Sequence, residues 1–492
     1  MTGLTRREAL LAVAGAALAA GCGASGSHEG AASGSTLLST WVDPYGTGNL
    51  QRGAGERMLA RTDLGPPSPA ERVIATLAHV TDAHVLDASS PARVPFLARL
   101  GTPFESTFRP HETLTTQVLA GTVRAVRALR PDGVIEGGDL IDNAQGNELE
   151  QAVATLSGGL VRPGSGPEGY FGVQLAGDPD PFYYRPDLDA PRYPGLLRRA
   201  VRPFMSPGLV GSRLTGGLAA YPVLGDHDIL VQGEIPPTSE TAALARGDEA
   251  LWELPPGLAA PSIRVAGSSA DGPPAPSGVE QLLARALAGP KQRVPPDPGR
   301  RQLTAGEVVT RLGGSATLDY HVDVGPDLRL IVLDLARRSG GSGGLVRPEQ
   351  QAWLAGELAG AGPKWIIAVS HQPLASSEGG QQLLALLDQH PRVIAALSGH
   401  IHRNEISPRP GSGGGYWLIN TASLIDYPQQ ARALRKIATR GGRVAIQTWM
   451  LDHVFPGDLG TISRQLAYLD AQGGRPRGFT GSRLDRNVTL YL

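Results

Sequence analysis

The stretch "VLGDHDIL" (residues 223–230) starts as an apolar strand end and breaks at Gly225 into Asp226, His227 and Asp228. Two carboxylates around one imidazole can serve a tight turn for backbone reasons alone, since Gly and Asp are ready turn formers. The same side chains are also metal ligands. What decides between the two readings is whether similar residues stand at the ends of other apolar runs.

They do, four more times. "TDAHV" carries Asp82 and His84, and "EGGDLIDN" carries Asp139, followed by Asp142 and Asn143 as candidate supporting or substrate groups. "VSHQPL" carries His371, and "SGHIHRN" carries His400 and His402, with Arg403 and Asn404 as candidate substrate-side groups. On an extended chain, positions i and i+2 point the same way, so each x-spaced pair can reach one ion. A single strand-end Asp is often just a turn residue, and a lone His is often a core or surface residue. Five such endings are different, because ligands in open α/β sheets gather outside the carboxyl ends of the strands. The other histidines (His28, His79, His111 in "FRPHETL", His321, His390 and His453) read as structural.

The surrounding pattern is α/β. "RVIATLAHV" (72–80) and "DGVIEGGDL" (132–140) read as strands flanking a helix, "TTQVLAGTVRAVRALR" (115–130), with Val118, Val123, Val126 and Leu129 at helical spacing. That order implies a right-handed parallel crossover. "LRLIVLDLA" (328–336), "KWIIAVSHQPL" (364–374), "RVIAALSGHIHRN" (392–404), "GYWLINTASL" (415–424) and "RVAIQTWML" (443–451) are further strands. Several are continuously apolar, as expected of strands covered on both faces. Pro348-Glu349 opens a helix.

The net charge of −1 over 492 residues argues against nucleic acid as the main partner. Gly (65) and Pro (41) are abundant enough to require long loops. Two stretches, 151–220 and 231–316, interrupt the pattern as inserts and flank "VLGDHDIL"; "FYYRPDLD" in the first is a candidate substrate-side element. The single cysteine, Cys22, excludes an intramolecular disulfide. It closes "TRREALLAVAGAALAAGC", in which Arg6-Arg7 precede an apolar run too short to span a bilayer. Residues 1–22 therefore read as a twin-arginine-like export signal ending in a lipoprotein cleavage box, and 23–40 as a flexible tether. The expectation is an exported protein at the outer face of the cytoplasmic membrane, anchored through Cys22, or secreted. A catalytic domain is expected over 70–455 and a C-terminal extension over 456–492.

The ordered set Asp82/His84, Gly138-Asp139, Gly225-Asp226-His227-Asp228, His371 and Gly399-His400-Ile401-His402 resembles the calcineurin-like metallophosphoesterase superfamily, and within it a bacterial subgroup with a twin-arginine signal and long inserts. The resemblance spans roughly residues 72–450. It implies an α/β/β/α sandwich with two metal ions of Fe, Mn or Zn type. Asp82, His84 and His402 would hold one ion, Asp226, His371 and His400 the other, and Asp139 would bridge them. It further implies hydrolysis of a small-molecule or lipid phosphomono- or phosphodiester by in-line attack of a metal-bridging hydroxide. His227 would assist the leaving group, and Asp228 would orient His227 and raise its pKa.

One letter departs from the family pattern: Asp226 stands where the family has Asn. A carboxylate lowers the site's positive charge by one, so the expectation is either an Fe³⁺-containing pair or reduced activity relative to Asp226→Asn. The rival reading is a non-catalytic lipoprotein that binds metal or a phosphate ligand. The presence of His227 and Asp228 speaks against it, since neither is needed merely to hold metal.

Overall fold

Residues Leu328–Leu333, LRLIVL, are buried at every position, and their side chains divide by parity between two cores. Leu330 and Val332 join one hydrophobic cluster, Ile331 and Leu333 another. A strand alternates its side chains between faces, so this one is sandwiched. The computed structural model describes residues 32–93, 109–165, 209–210, 218–251, 253–256, 285–455, 457, 459–472 and 479–492. The export signal, Cys22 and "FYYRPDLD" lie outside the described residues.

Two sheets form the centre. The first has seven strands in the order β1 (Leu59–Arg61), β13 (Val488–Tyr491), β12 (Arg443–Asp452), β11 (Gln430–Thr439), β2 (Ala70–Val80), β3 (Gly133–Glu136) and β4 (Ala219–Pro222). The second has six: β5 (Tyr320–Asp323), β6 (Leu328–Leu333), β7 (Trp365–Ser370), β8 (Val393–Ser398), β10 (Tyr416–Asn420) and β9 (Glu405–Arg409). Strands β2, β3 and β4 run parallel, as do β6, β7, β8 and β10. Between the sheets, Leu77 and Ile135 share a core with Leu330, Ile367, Leu397 and Trp417. On the outer face of the first sheet, Ala78, Val80 and Val134 pack against helices α1 (Thr115–Leu129) and α2 (Gly146–Ser157) through Val118, Val123 and Leu149. On the outer face of the second, Ile331 and Ala368 pack against α3 (Pro348–Ala359) and α4 (Gly380–Gln389) through Leu354 and Leu383. The fold is an α/β/β/α sandwich. Helix α1 covers the span its apolar spacing predicts and ends at Arg130, which takes a left-handed conformation (φ 52°).

The compact unit is longer than the expected 70–455 domain. It runs over Ala32–Leu492. The C-terminal segment supplies β13 to the first sheet, and the segment before residue 70 supplies β1. The expected tether also ends early: Ser35 and Thr36 are buried, and Thr36 Oγ1 bonds to the Met450 carbonyl and Asn487. Strand β11 was not legible as a strand because Arg432 and Lys436 interrupt its apolar run. Both are buried with partners. Arg432 donates to Thr421 Oγ1, Asn404 Oδ1 and the Asp485 carbonyl; Lys436 Nζ donates to the Asp327 carbonyl. Described residues of the second insert pack on the body: Thr241 Oγ1 donates to Gln302, Gln302 bridges to Gln145, and Arg300 pairs with Asp87.

Candidate metal centre

Each motif follows the C-terminal end of a parallel strand: Asp82 and His84 after β2, Asp139 after β3, Asp226 after β4, His371 after β7, and His400 and His402 after β8. The five ends meet at one edge of the sandwich. The x-spaced pairs do not reach the site by strand alternation, as the extended-chain reading supposed. Strand β2 has ended at Val80, and Asp82, His84, Asp139, His400 and His402 all adopt left-handed backbone, with φ of 53°, 42°, 50°, 67° and 54°. Only four other described non-glycine residues do so. Such conformations cost on the order of 1–3 kcal/mol each and collect at functional sites. Two glycines make the approach possible. A Cβ on Gly138 (φ 93°) would lie 2.5 Å from His371 Nδ1, and one on Gly225 would lie 2.1 Å from Asp139 Oδ1.

The seven ligand-type side chains fall into two groups, each with its atoms within 4.8 Å, and His84 and Asp139 form a further such group with His227. In the first, His402 Nε2 is 3.2 Å from Asp82 Oδ1 and 3.3 Å from His84 Nε2. In the second, His371 Nε2 is 3.0 Å from Asp139 Oδ2 and 3.4 Å from Asp226 Oδ1, and His400 Nδ1 is 3.2 Å from Asp226 Oδ1. Asp139 Oδ2 also lies 3.6 Å from His84 Nε2, between the groups. Most of these side chains are buried; His402, His400 and His227 keep 19%, 11% and 12% exposure and mark the side open to solvent.

Three imidazoles are fixed by their outer nitrogens. His84 Nδ1 is 3.1 Å from Asp142 Oδ1, His402 Nδ1 is 2.6 Å from Asp426 Oδ2, and His371 Nδ1 is 2.8 Å from the Gly137 carbonyl. Acceptors at Nδ1 set the tautomer that leaves Nε2 as a lone-pair donor, the usual state of a metal ligand. His371 Nε2 is buried and faces the carboxylates of Asp139 and Asp226. Carboxylates and imidazoles arranged in this way fit cations.

The electrostatics agree. Burial opposes charge throughout. Against it, His402, His371 and His84 hold the Asp82 carboxyl well below its usual range, and His400, His371 and His227 do the same for Asp226. In return Asp82 and Asp426 raise His402 to about 10, and Asp139, Asp226 and Asp82 raise His371 well above its ordinary value. Protons on these imidazoles take the place that cations would take.

His227 sits beside both groups, its ring centroid 4.4 Å from that of His84. Its backbone amide donates to Asp139 Oδ1 at 2.9 Å. Burial would depress it, but Asp139, Asp142 and Asp226 outweigh burial and raise it to about 10. The residue that orients it is Asp142, not Asp228. His227 Nδ1 is 2.9 Å from the Asp142 carbonyl and 3.3 Å from its Oδ1. The Asp228 carboxylate is taken up by the backbone amides of Gly225 (2.9 Å), Asp139 (3.1 Å) and Ile141 (3.1 Å). It braces the motif loops, and burial next to Asp139 raises it to about 7.

Asn143 is a supporting group: Nδ2 donates to Asp142, and Oδ1 accepts from the Gln232 amide. Asn404 is buried, its Oδ1 held by Ala422 and Arg432, while Arg403 is exposed. Of the structural histidines, His79 is buried, touches Thr421 Oγ1 and is pushed down to about 3 by burial. His111 is buried, with Nε2 3.7 Å from Asp426.

Sequence reading missed three residues. Asp426 carries no motif; it follows β10 in "SLID". Gln372, next to His371, donates to Asp226 Oδ1 at 3.0 Å. Phe479, from the expected C-terminal extension, packs edge-on 5.9 Å from His402.

No family model and no curated protein matches the chain. Among solved structures it is similar to a dimetal phosphatase from Danio rerio, at 11% identity over 78% of this chain and 100% of that one, with a TM-score of 0.37. It is also similar to the sulfate thiohydrolase SoxB from Thermus thermophilus, in complex with glycerol, at 14% identity over 84% of this chain and 61% of that one, with a TM-score of 0.28. At such identities and TM-scores, function has to be read from the side chains themselves.

Proposed function

We propose that the protein is a two-metal hydrolase of phosphate esters, a metallophosphoesterase. The observation that carries the reading is the convergence of seven ligand-type residues into two groups around Asp139, with His227 on the open side. Asp82, His84 and His402 would hold one cation and Asp226, His371 and His400 the other, with Asp139 between them. When bound, the cations supply a positive clamp for a phosphoryl group and a nucleophile at neutral pH.

The chain's own residues do the rest. Asp142 accepts from His227 Nδ1, which leaves Nε2 as the other donor of a ring that keeps 12% exposure. From there Nε2–H donates to the leaving oxygen as the ester bond breaks, and His227 finishes as the neutral imidazole. Asp228 keeps the loops of Asp139 and Asp226 in register through three amide bonds. Buried walls around Asp82, Asp139 and His371 exclude water from the far side of the site. The test is metal-free protein reloaded with Mn²⁺, assayed on an aryl phosphomonoester and an aryl phosphodiester. Turnover of either at two ions per chain is expected. No turnover of either at that loading would favour a binding protein.

Export by a twin-arginine-like signal and a lipid on Cys22 belong to the same proposal and rest on residues 1–22. Cys22→Ser should move the protein from the membrane fraction to the soluble exported fraction; an unchanged distribution removes the anchor.

A further inference from the structure

We propose that Arg93, Glu112 and Arg109 form a buried brace that keeps the Asp82/His84/His402 group, and not its neighbour, in shape for a cation; the proposal rests on the two-metal reading above. The brace is one unbroken run of charged contacts. Asp142 Oδ1 meets His84 Nδ1 at 3.1 Å, and Asp142 Oδ2 meets Arg93 Nε at 3.0 Å. Arg93 Nη2 donates to Glu112 Oε2 at 2.7 Å, and Arg109 Nε donates to Glu112 Oε1 at 2.8 Å. Arg109 Nη2 reaches Asp426 Oδ1 at 2.5 Å, and Asp426 Oδ2 meets His402 Nδ1 at 2.6 Å. Arg93 and Glu112 are 2% and 0% exposed. The run starts at one imidazole of the group and ends at the other.

The chemistry explains the arrangement. Asp142 and Asp426 must stay charged and fixed to hold two Nδ1–H groups, yet both are buried. A buried carboxylate needs a paired countercharge, and each receives a guanidinium. The two guanidiniums would repel each other; Glu112 lies between them and takes one on each oxygen. Burying so many charges is costly and stabilises little in itself. What it secures is geometry.

The second group is held by other means. His371 Nδ1 rests on the Gly137 carbonyl, and Asp226 Oδ1 accepts from Gln372. The two cation sites should therefore respond differently to damage in the brace. The brace also accounts for a separate cluster of ligand-type atoms, His111, Asp426 and Asp470. Arg109 bridges the two carboxylates of that cluster at 2.5 and 3.3 Å, so a guanidinium already fills the place of an ion.

The experiment titrates Mn²⁺ into metal-free full-length protein by calorimetry, with bound metal counted by elemental analysis and folding of each variant checked by urea unfolding. Wild type should take up two ions. Glu112→Gln should weaken one binding event about 10- to 100-fold, the range for loss of a group supporting a metal ligand, and leave the other unchanged. Gln372→Leu should weaken the opposite event. If Glu112→Gln does not fold, Arg109→Lys, which keeps the charge but loses the fork, decides on the same readout. Equal weakening of both events, or of neither, overturns the brace. So does a third Mn²⁺ in wild type, which would give the His111 cluster to a metal. Fewer than two ions in wild type would instead sink the two-metal reading, and with it the proposal. Two asymmetric sites without phosphoesterase turnover would sink only the activity and sustain the brace.

Discussion

Asp228 holds Asp139 by its backbone: Oδ2 accepts from the Asp139 amide at 3.1 Å across 89 positions of chain. Asp228→Asn puts an NH₂ group where one of three amide donors now points. An unmet buried donor costs about 1–3 kcal/mol. The expected outcome is a loss of that size in urea unfolding of the metal-free protein, with no change in the shape of the pH–rate profile. Unchanged stability, or a profile that loses a limb, would return Asp228 to the role of orienting His227.

His227→Gln removes the group assigned to the leaving oxygen and leaves all seven ligand residues in place. A general acid contributes typically 10²–10⁴-fold. The turnover number should fall within that range on an ester with a poor leaving group and much less on an activated aryl ester, at unchanged metal content. An equal loss on both esters would mean that His227 does not protonate the leaving oxygen.

Asp226→Asn tests the one letter at which the sequence departs from the pattern it resembles. Asp226 Oδ1 faces His371, His400 and Gln372, and an Asn oxygen can keep that position. A unit charge at roughly 5 Å is worth about 3 kcal/mol at an effective dielectric near 20. With two divalent ions loaded, the variant should turn over at least tenfold faster. No gain with divalent ions, and none lost with an iron-containing pair, would remove the charge argument.

Lys436 makes folding stability depend on pH. It is 2% exposed, between the Asp327 carbonyl and the Trp365 ring, and burial pushes it from 10.5 down to about 7. Between those values the unfolded chain carries a proton that the folded chain lacks, so stability rises with pH from about 7 to 10.5, and the gain is lost as pH falls through that window. One proton corresponds to about 1.4 kcal/mol per pH unit. Lys436→Met should flatten the slope by that one proton in urea unfolding across this range. An identical slope would show that Lys436 is charged in the folded state.

The sequence made the layers legible where the physics is local. LRLIVL announces a strand covered on both faces, and Val118, Val123 and Val126 announce helix α1. The ligand residues were legible because they sit on strand ends and the strands are parallel neighbours. What stayed hidden depends on partners far along the chain. Arg432 and Lys436 look foreign to a core strand until Thr421, Asn404 and Asp327 are seen beside them. Adjacency in sequence points to Asp228, the residue next to His227, over Asp142. The turn at 226–230 points Asp228 back at the β3 loop instead, and leaves the imidazole to a residue 85 positions away. Asp426 offered no clue beyond following a strand.

The left-handed backbone at Asp82, His84, Asp139, His400 and His402 has a consequence for how this site could be lost. Such positions favour Gly first, and Asn, Asp and His over most other residues, so a change to Gly at any of them destroys ligation and relaxes the chain together. His400→Gly should therefore give a protein that binds less metal and melts higher in the presence of a chelator. The sandwich would survive the loss of its chemistry in better health than it carries it, and only continued use of the site would keep these five residues where they are.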